Sequence, residues 1–367
     1  MNAPRRLRST ILVMAGGTGG HVFPGLAVAN ALREAGVDVC WLGTAQGIEA
    51  RLVPAAGFTL HTLPVSGLRG KGITTWLLAP LRLGLSLWAA LGLMLKLKPA
   101  AVLGLGGFAS GPGGLMASAL GRPLVIHEQN AIAGMTNRWL ARVADRVLEG
   151  FPGTFAPGFK PQHTGNPVRA DIAALPPPAE RMHGRSGPLR LLVLGGSLGA
   201  LALNRALPQA LATLPADRRP EVWHQAGSRT VDAAREAYAS SGVDARVDAF
   251  IDDMANAYAW ADLVVCRAGA LTIAELAAAG LGAVLVPYPH AVDDHQTANA
   301  RFLVDAGAAV LRSQSEVETG ALLPLLSELL NDRARLLQMA ERARGLARPQ
   351  ATAEVADVCL ALAGGAA

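Results

Sequence analysis

Residues 16–21 read Gly-Gly-Thr-Gly-Gly-His, and they lie between an apolar run at 11–15 and a helical apolar pattern at 23–35. A glycine turn that opens a helix directs backbone N–H groups, backed by the helix dipole, at an anion or a diphosphate. His21 would stand at that positive helix end, which favours a neutral imidazole able to accept a proton, the property of a general base. A histidine that only caps or packs the helix start satisfies the same pattern. Residues 127–134, HEQNAIAG, form a second group. They place His127, Glu128, Gln129 and Asn130 at the carboxyl end of a strand, where open α/β sheets bind ligands. There they offer donors and acceptors for sugar hydroxyls, with Glu128 a rival base; a solvated loop is the plainer alternative. The third group is RAGALTIAELAAAG at 267–280, another passage from strand to helix. Its N–H groups near 270–272 suit a diphosphate, and Glu275, one turn beyond Leu271, suits a pair of ribose hydroxyls as well as it suits an ordinary helix surface.

These groups need a frame, and the chain repeats one. Residues 6–20 (RLRSTILVMAGGTGG) and 188–200 (PLRLLVLGGSLGA) each run from Leu-Arg through an apolar strand to a Gly-Gly turn and a helical pattern, the opening of a Rossmann unit. Further strand-turn-helix steps start at 37–43, 101–107, 124–127, 221–227, 262–269 and 283–287. Strands alternating with helices predict parallel sheets, hence an α/β protein. The segment 163–169, HTGNPVR, with Pro176, Pro177 and Pro178 beyond it, reads as the passage between domains. The expected division is 1–166, 167–345 and a helical segment 346–367 that packs back on the first domain.

Composition narrows the class. The 367 residues suit two domains, and with 51% apolar and 17% charged residues the chain has material for buried strands. Cys40, Cys266 and Cys359 are too scattered for a disulfide framework or a zinc site, which fits a reducing cytoplasm. No DxD signature is present and the pairs Asp252-Asp253 and Asp293-Asp294 stand in unrelated loops, so neither a metal nor a cofactor is expected. The second strand ends Trp41, Leu42, Gly43, Thr44 without the acid that holds a dinucleotide ribose, which counts against a nicotinamide-dependent oxidoreductase. Residues 1–170 hold 16 Lys and Arg against 6 Asp and Glu, a balance of +10, whereas 171–367 hold 17 against 22, or −5. A basic, Leu- and Trp-rich first half suits an anionic lipid surface or a nucleic acid. The most apolar stretch, 76–95, is interrupted by Pro80 and Arg82, and its clean run from 83 to 95 is shorter than the ~20 residues of a span. It is expected to lie on a membrane rather than cross one.

Nine motifs in order, GGTGGH, SGLRGKG, GLGGFASGPGG, HEQNAIAG, GNPVR, GGSLGA, FIDDM, CRAGALTIAE and HQTANA, resemble the MurG family, the N-acetylglucosamine transferases of bacterial peptidoglycan synthesis. The resemblance implies a GT-B fold, two Rossmann-like domains with parallel sheets facing across a cleft. It implies an inverting, metal-independent transfer of N-acetylglucosamine from UDP-N-acetylglucosamine to the 4-hydroxyl of the muramyl sugar of lipid I, giving lipid II. Donor and substrate contacts carry over to Thr18, Gly19, Gly20, Asn130, Arg169, Ser197, Ile251, Ala270, Leu271, Thr272, Ile273, Ala274, Glu275 and Gln296. Ile251 would meet uracil through its backbone, Glu275 the ribose, and Arg169 and Ser197 the diphosphate. His21 is the implied base, His127 and Glu128 complete the catalytic set, and Asn204 is a weaker carry-over. The implied partners are the donor, the lipid acceptor, an anionic membrane surface met through 76–95 with Lys71, Arg82, Lys96 and Lys98, and cell-wall synthesis and division proteins, with no nucleic acid. The implied location is peripheral, on the cytoplasmic face of the inner membrane. Leu198 departs from the family's usual Gln and Phe108 from a common Tyr, so each loses a polar group. A related transferase acting on another lipid such as diacylglycerol, and a non-catalytic membrane scaffold, are the competing functions; HEQN and GNPVR argue against the first, and the density of polar residues in the motifs against the second.

Overall fold

The structure, a computed structural model, describes residues 9–64, 79–196 and 199–365. The chain forms two compact units, 1–168 with 350–367, and 169–349. In the first unit the described elements begin β1 (Thr10–Ala15), α1 (Gly19–Glu34), β2 (Asp38–Gly43), α2 (Glu49–Ala55), β3 (Thr59–Thr62) and α3 (Ala79–Leu97). They continue β4 (Ala101–Gly106), α4 (Ser110–Ala119), β5 (Leu124–Glu128), α5 (Met135–Leu140), β6 (Arg146–Glu149) and β7 (Gln162–His163). The seven strands form one parallel sheet in the order β3-β2-β1-β4-β5-β6-β7. Side chains alternate across it, as the two-residue period of a strand requires. Leu12 and Met14 of β1 enter the core beneath α3, α4 and α5, while Ile11, Val13 and Ala15 enter the core beneath α1.

The second unit holds a short α6 (Ala170–Ala173), β8 (Arg190–Leu194), α7 (Leu201–Ala212), β9 (Glu221–Gln225), β10 (Arg246–Asp248), α8 (Met254–Trp260), β11 (Leu263–Cys266), α9 (Ala270–Ala279), β12 (Gly282–Leu285), α10 (His295–Val304) and β13 (Ala309–Leu311). Its six strands are also parallel, in the order β10-β9-β8-β11-β12-β13. Both sheets reverse direction of growth beside their first strand, between β1 and β4 and between β8 and β11. Loops at such switch points part to leave a crevice at the carboxyl ends, and ligands bind there. The chain finally returns to the first unit as α11 (Ala351–Gly365), whose Val355, Ala356, Cys359 and Ala363 join the core over α1.

Helix α3 is longer than the uninterrupted apolar run, because Pro80 fits a first helical turn and Arg82 projects outward. By length and composition alone it is capable of crossing a membrane. Ser86, Ala90 and Met94, spaced four apart on one stripe, are fully buried, with Ala90 and Met94 in the first unit's core. Its other face exposes Leu81, Leu83, Leu85, Trp88 and Leu95, with Trp88 76% accessible. All three cysteines are buried and free, and burial pushes the Cys40 thiol up to about 11 and those of Cys266 and Cys359 to about 12, so they serve as core residues.

Candidate active site

In the first unit the loop after β1 is drawn against the loop after β4. A Cβ on Gly107 would lie 2.6 Å from the Gly16 carbonyl oxygen, and Gly107 holds φ +88, so the approach demands glycine. Thr18 is the extended N-cap of α1 and its side chain makes no capping bond. That leaves the first-turn N–H groups at Gly19 and Gly20 facing outward without intrahelical partners. His21 is half-buried, with Nδ1 3.2 Å from the Gly16 carbonyl oxygen. A carbonyl oxygen only accepts, so Nδ1 carries the proton and a neutral ring keeps its lone pair on Nε2. A Cβ on Gly106 would come 3.1 Å from that Nε2.

Glu49, at the start of α2, reaches into the same loop from the β2 side. Its Oε2 accepts the Gly17 N–H at 2.9 Å, and Oε1 accepts the Thr44 N–H at 2.9 Å and the Thr44 hydroxyl at 2.7 Å. Burial alone would raise its pKa, but the hydrogen bonds from Thr44 and Gly17 outweigh it and hold the carboxyl below its ordinary value. The ribose-binding pattern has its acid at the end of β2, whereas Glu49 lies six residues beyond Gly43, so that pattern does not reveal it.

The HEQN cluster turns inward. His127 is fully buried: Nε2–H donates to the Gly165 carbonyl at 2.9 Å, and Nδ1 accepts from Gln129 Nε2 at 3.0 Å. Burial lowers its pKa to about 4 against the opposing pull of the Gly165 bond and the Glu128 charge. Glu128 is 2% exposed and takes four donors, the Asn130 N–H and Nδ2 on Oε1 and the Gly134 N–H and Asn137 Nδ2 on Oε2. Both side chains are spent on shaping the loop, and of the four polar residues Asn130 is the one left part-exposed. Asn166 of GNPVR donates to the Gln129 carbonyl at 2.9 Å, which ties the two motifs together.

In the second unit α9 starts at Gly269, which is extended and offers no side-chain cap, so the N–H groups of Ala270, Leu271 and Thr272 are unmatched within the helix. Ile273 and Ala270 point into the core, and Leu271, Thr272 and Ala274 are part-exposed. Glu275 follows one turn on. Buried Tyr258 of α8 donates its hydroxyl to Glu275 Oε2 at 2.9 Å. Burial, ahead of the charge and bond of Glu275, pushes the Tyr258 phenol well above its ordinary range, so it stays a donor. Burial pushes the Glu275 carboxyl up to about 7, more than the Tyr258 bond and the Arg169 charge pull it down. Arg169, the N-cap of α6, has its Nε 3.7 Å from Asp171 Oδ1, and its Nε and Nη2 are buried without a hydrogen bond. The Arg169 charge acts on Glu275 and α6 packs against α9; a guanidinium with open donors and an uncapped helix start are each, in chemical terms, groups that attract an anion. Arg267 braces this edge by donating to the Val286 and Pro287 carbonyls and to Gln314. Tyr258, a buried tyrosine, has no local sequence signal, and nothing in the 267–280 motif that Arg267 opens shows where its side chain turns.

Ile251, Gln296 and Asn204 belong to the second unit, Phe108 to the first. Ile251 follows β10 with its side chain 4% exposed, which leaves only its backbone to meet a ligand. Gln296 of α10 accepts the Tyr288 N–H through Oε1 at 2.8 Å. Asn204 is fully buried and donates to the Ala226 carbonyl at 3.1 Å, tying α7 to the end of β9. Phe108 is 56% exposed. Ser197, Leu198, Lys71 and Trp76 lie outside the described residues.

Two Rossmann-like units, one carrying a candidate base at its switch point and the other an uncapped helix start with an arginine and a carboxylate, define a glycosyltransferase of the GT-B fold. Residues 11–149 match the glycosyltransferase family 28 N-terminal domain and 190–357 its C-terminal domain. Over 350 residues the chain is 59% identical to the UDP-N-acetylglucosamine–N-acetylmuramyl-(pentapeptide) pyrophosphoryl-undecaprenol N-acetylglucosamine transferase of Alkalilimnicola ehrlichii, covering 95% of this chain and 98% of that one. The identically named protein of Nitrosococcus oceani is 57% identical over 97% of this chain and 99% of its own. The crystal structure of Acinetobacter baumannii MurG superposes with a TM-score of 0.82 at 43% identity, over 96% of this chain and 99% of that one. The chain belongs to glycosyltransferase family 28 and, within it, to the MurG family. The calicheamicin glycosyltransferase CalG4 shares the fold at 20% identity and a TM-score of 0.68, over 98% of this chain and 99% of that one.

Proposed function

We propose that the protein transfers N-acetylglucosamine from UDP-N-acetylglucosamine to the 4-hydroxyl of the muramyl sugar of lipid I, giving lipid II, with inversion at the anomeric carbon. The observation that carries this reading is the similarity across both units to proteins named for that transfer. In the proposed step the acceptor O4–H gives its proton to His21 Nε2 while O4 forms a bond to the anomeric carbon. The bond from that carbon to the diphosphate breaks, and its electron pair leaves with UDP. The departing charge meets the N–H groups of Ala270, Leu271 and Thr272 and the Arg169 guanidinium, fixed donors of the kind that stabilise a developing anion. Ser197 adds a hydroxyl on the strength of its motif. Glu275, oriented by Tyr258, accepts the ribose hydroxyls, the Ile251 backbone meets uracil, and Ala274 and Gln296 complete the donor site, while fully buried Ile273, its N–H spent on the Gly269 carbonyl, packs the helix from beneath instead of meeting the donor. Thr18, Gly19, Gly20 and Asn130 hold substrate, with His127 and Glu128 as the frame that presents Asn130.

The exposed face of α3, five large apolar side chains flanked by exposed Arg82, Lys96 and Lys98, supports peripheral docking on the anionic cytoplasmic face of the inner membrane. Incubation with labelled UDP-N-acetylglucosamine and vesicles carrying lipid I, diacylglycerol or neither tests the reading. Label should enter only the lipid I vesicles; incorporation into diacylglycerol alone would replace the reading with that of another lipid glycosyltransferase.

A further inference from the structure

Glu49 is fully buried, with three donors on its carboxylate and no part in the steps above. The space around it is made by glycines. A Cβ on Gly16 would lie 2.5 Å from Oε1, one on Gly43 2.7 Å from Cγ, and one on Gly47 would overlap the carboxylate itself. A charged group is costly to bury without partners, and three glycines around one carboxylate make a position built to admit it.

The bond to Gly17 is the informative one. The Gly17 N–H that Glu49 accepts and the Gly16 carbonyl that receives His21 Nδ1–H belong to the same peptide group. That group is planar and rigid, so fixing its N–H end fixes the direction of its carbonyl end. Hydrogen bonds in such a chain also polarise one another, so the negative carboxylate strengthens the acceptor that faces the imidazole. Thr44 anchors the far side through its amide and hydroxyl, tying the loop after β2 to the loop after β1. We propose that Glu49 is a positioning residue for the base. Acting through the Gly16–Gly17 peptide, it holds His21 in the Nδ1–H tautomer and leaves Nε2 to accept the proton. This rests on the reading of His21 as the base.

The test is a double-mutant cycle on the full chain, with UDP-N-acetylglucosamine and a lipid I analogue. Glu49→Gln keeps the shape, removes the charge and sets an amide where three donors converge. It should lower kcat about 10- to 100-fold, by analogy with the loss when the hydrogen-bond partner that orients a metal-bound histidine is removed, with donor KM within about twofold. In the His21→Ala background the same change should cost less than about twofold, because residues acting through one another are not additive. An equal factor in both backgrounds, or an unchanged kcat in the single variant, overturns the inference. If Glu49→Gln does not fold, Thr44→Val takes its place in the cycle. It removes one donor and leaves the carboxylate, with a loss of about threefold expected when His21 is present and none without it; equal losses or no loss overturn the inference. Nitrogen-15 NMR of labelled histidine in the unaltered protein should show His21 protonated at Nδ1, and protonation at Nε2 overturns the inference directly. A His21→Ala variant with near-normal kcat sinks the base assignment itself, an outcome distinct from a crippled His21→Ala with additive Glu49→Gln.

Discussion

Donor binding should depend on pH through Glu275, and removing one hydroxyl should move that dependence. The carboxyl is pushed up to about 7, so it is roughly one-tenth ionised at pH 6 and nine-tenths at pH 8. A carboxylate that accepts two ribose hydroxyls must be ionised, so affinity for UDP-N-acetylglucosamine should rise roughly tenfold across that window and level off above it. Tyr258 donates to Oε2, which favours the charged form, so Tyr258→Phe should raise the midpoint further. A hydrogen bond to a charged group contributes about 1.5 kcal/mol, close to one pH unit. With the midpoint near 8, the ionised fraction at pH 7 falls from about half to about one-tenth, a roughly fivefold weaker affinity that is recovered near pH 9. Calorimetry with UDP-N-acetylglucosamine from pH 6 to 9 reads this directly, because its diphosphate diester stays fully ionised over that range. Glu275→Gln should be weak and flat. A flat profile for the unaltered protein, or the same midpoint with and without the Tyr258 hydroxyl, would refute the reasoning.

His21→Ala should lower kcat by about 100-fold or more with little change in donor affinity, since general-base catalysis contributes about 10² to 10⁴; steady-state kinetics with both substrates checks it. Glu128→Gln, which replaces one of two acceptor oxygens by a donor among four donors, should cost about 1–3 kcal/mol of stability in denaturant titrations and be the milder of the two in kcat. Gly106→Ala forces a Cβ to 3.1 Å from His21 Nε2 at a residue with φ +109 and should reduce kcat while leaving UDP binding to the second unit unchanged by calorimetry. Leu85→Ser with Trp88→Ser should weaken binding to anionic vesicles in flotation assays, and binding by the unaltered protein should fall with salt as screening shortens the reach of the basic residues to ~8 Å; salt-independent binding would count against docking by α3.

The central strands were legible because burial on both faces leaves a continuous apolar run. β1, β4, β8 and β11 read that way, and each ends in the glycine or polar turn that marks a switch point. The outer strands were not. β3 is Thr-Leu-His-Thr and partly exposed, β7 has two residues, and β10 and β13 have three each; their pairing comes from the neighbouring strand rather than from their own apolar content. The candidate site divides along the same physical line. His21, the start of α9 and Glu275 depend on local turns and helix ends, which sequence spacing encodes. The inward direction of His127 and Glu128 depends on Gly165 and Asn137, and the role of Glu49 on a peptide 32 residues earlier. Such contacts leave no periodic trace. The acid sought at the end of β2 for a ribose proved to have a counterpart beyond it that binds backbone instead.

Inverting transfer to one particular hydroxyl is tested most directly by the structure of the product. The purified chain, with EDTA present, should convert UDP-N-acetylglucosamine and a lipid I analogue to UDP and a product heavier by one N-acetylhexosamine. Proton and carbon NMR should then show a β linkage to the muramyl O4. An α linkage, attachment at another hydroxyl, or loss of the reaction on metal removal would contradict the account.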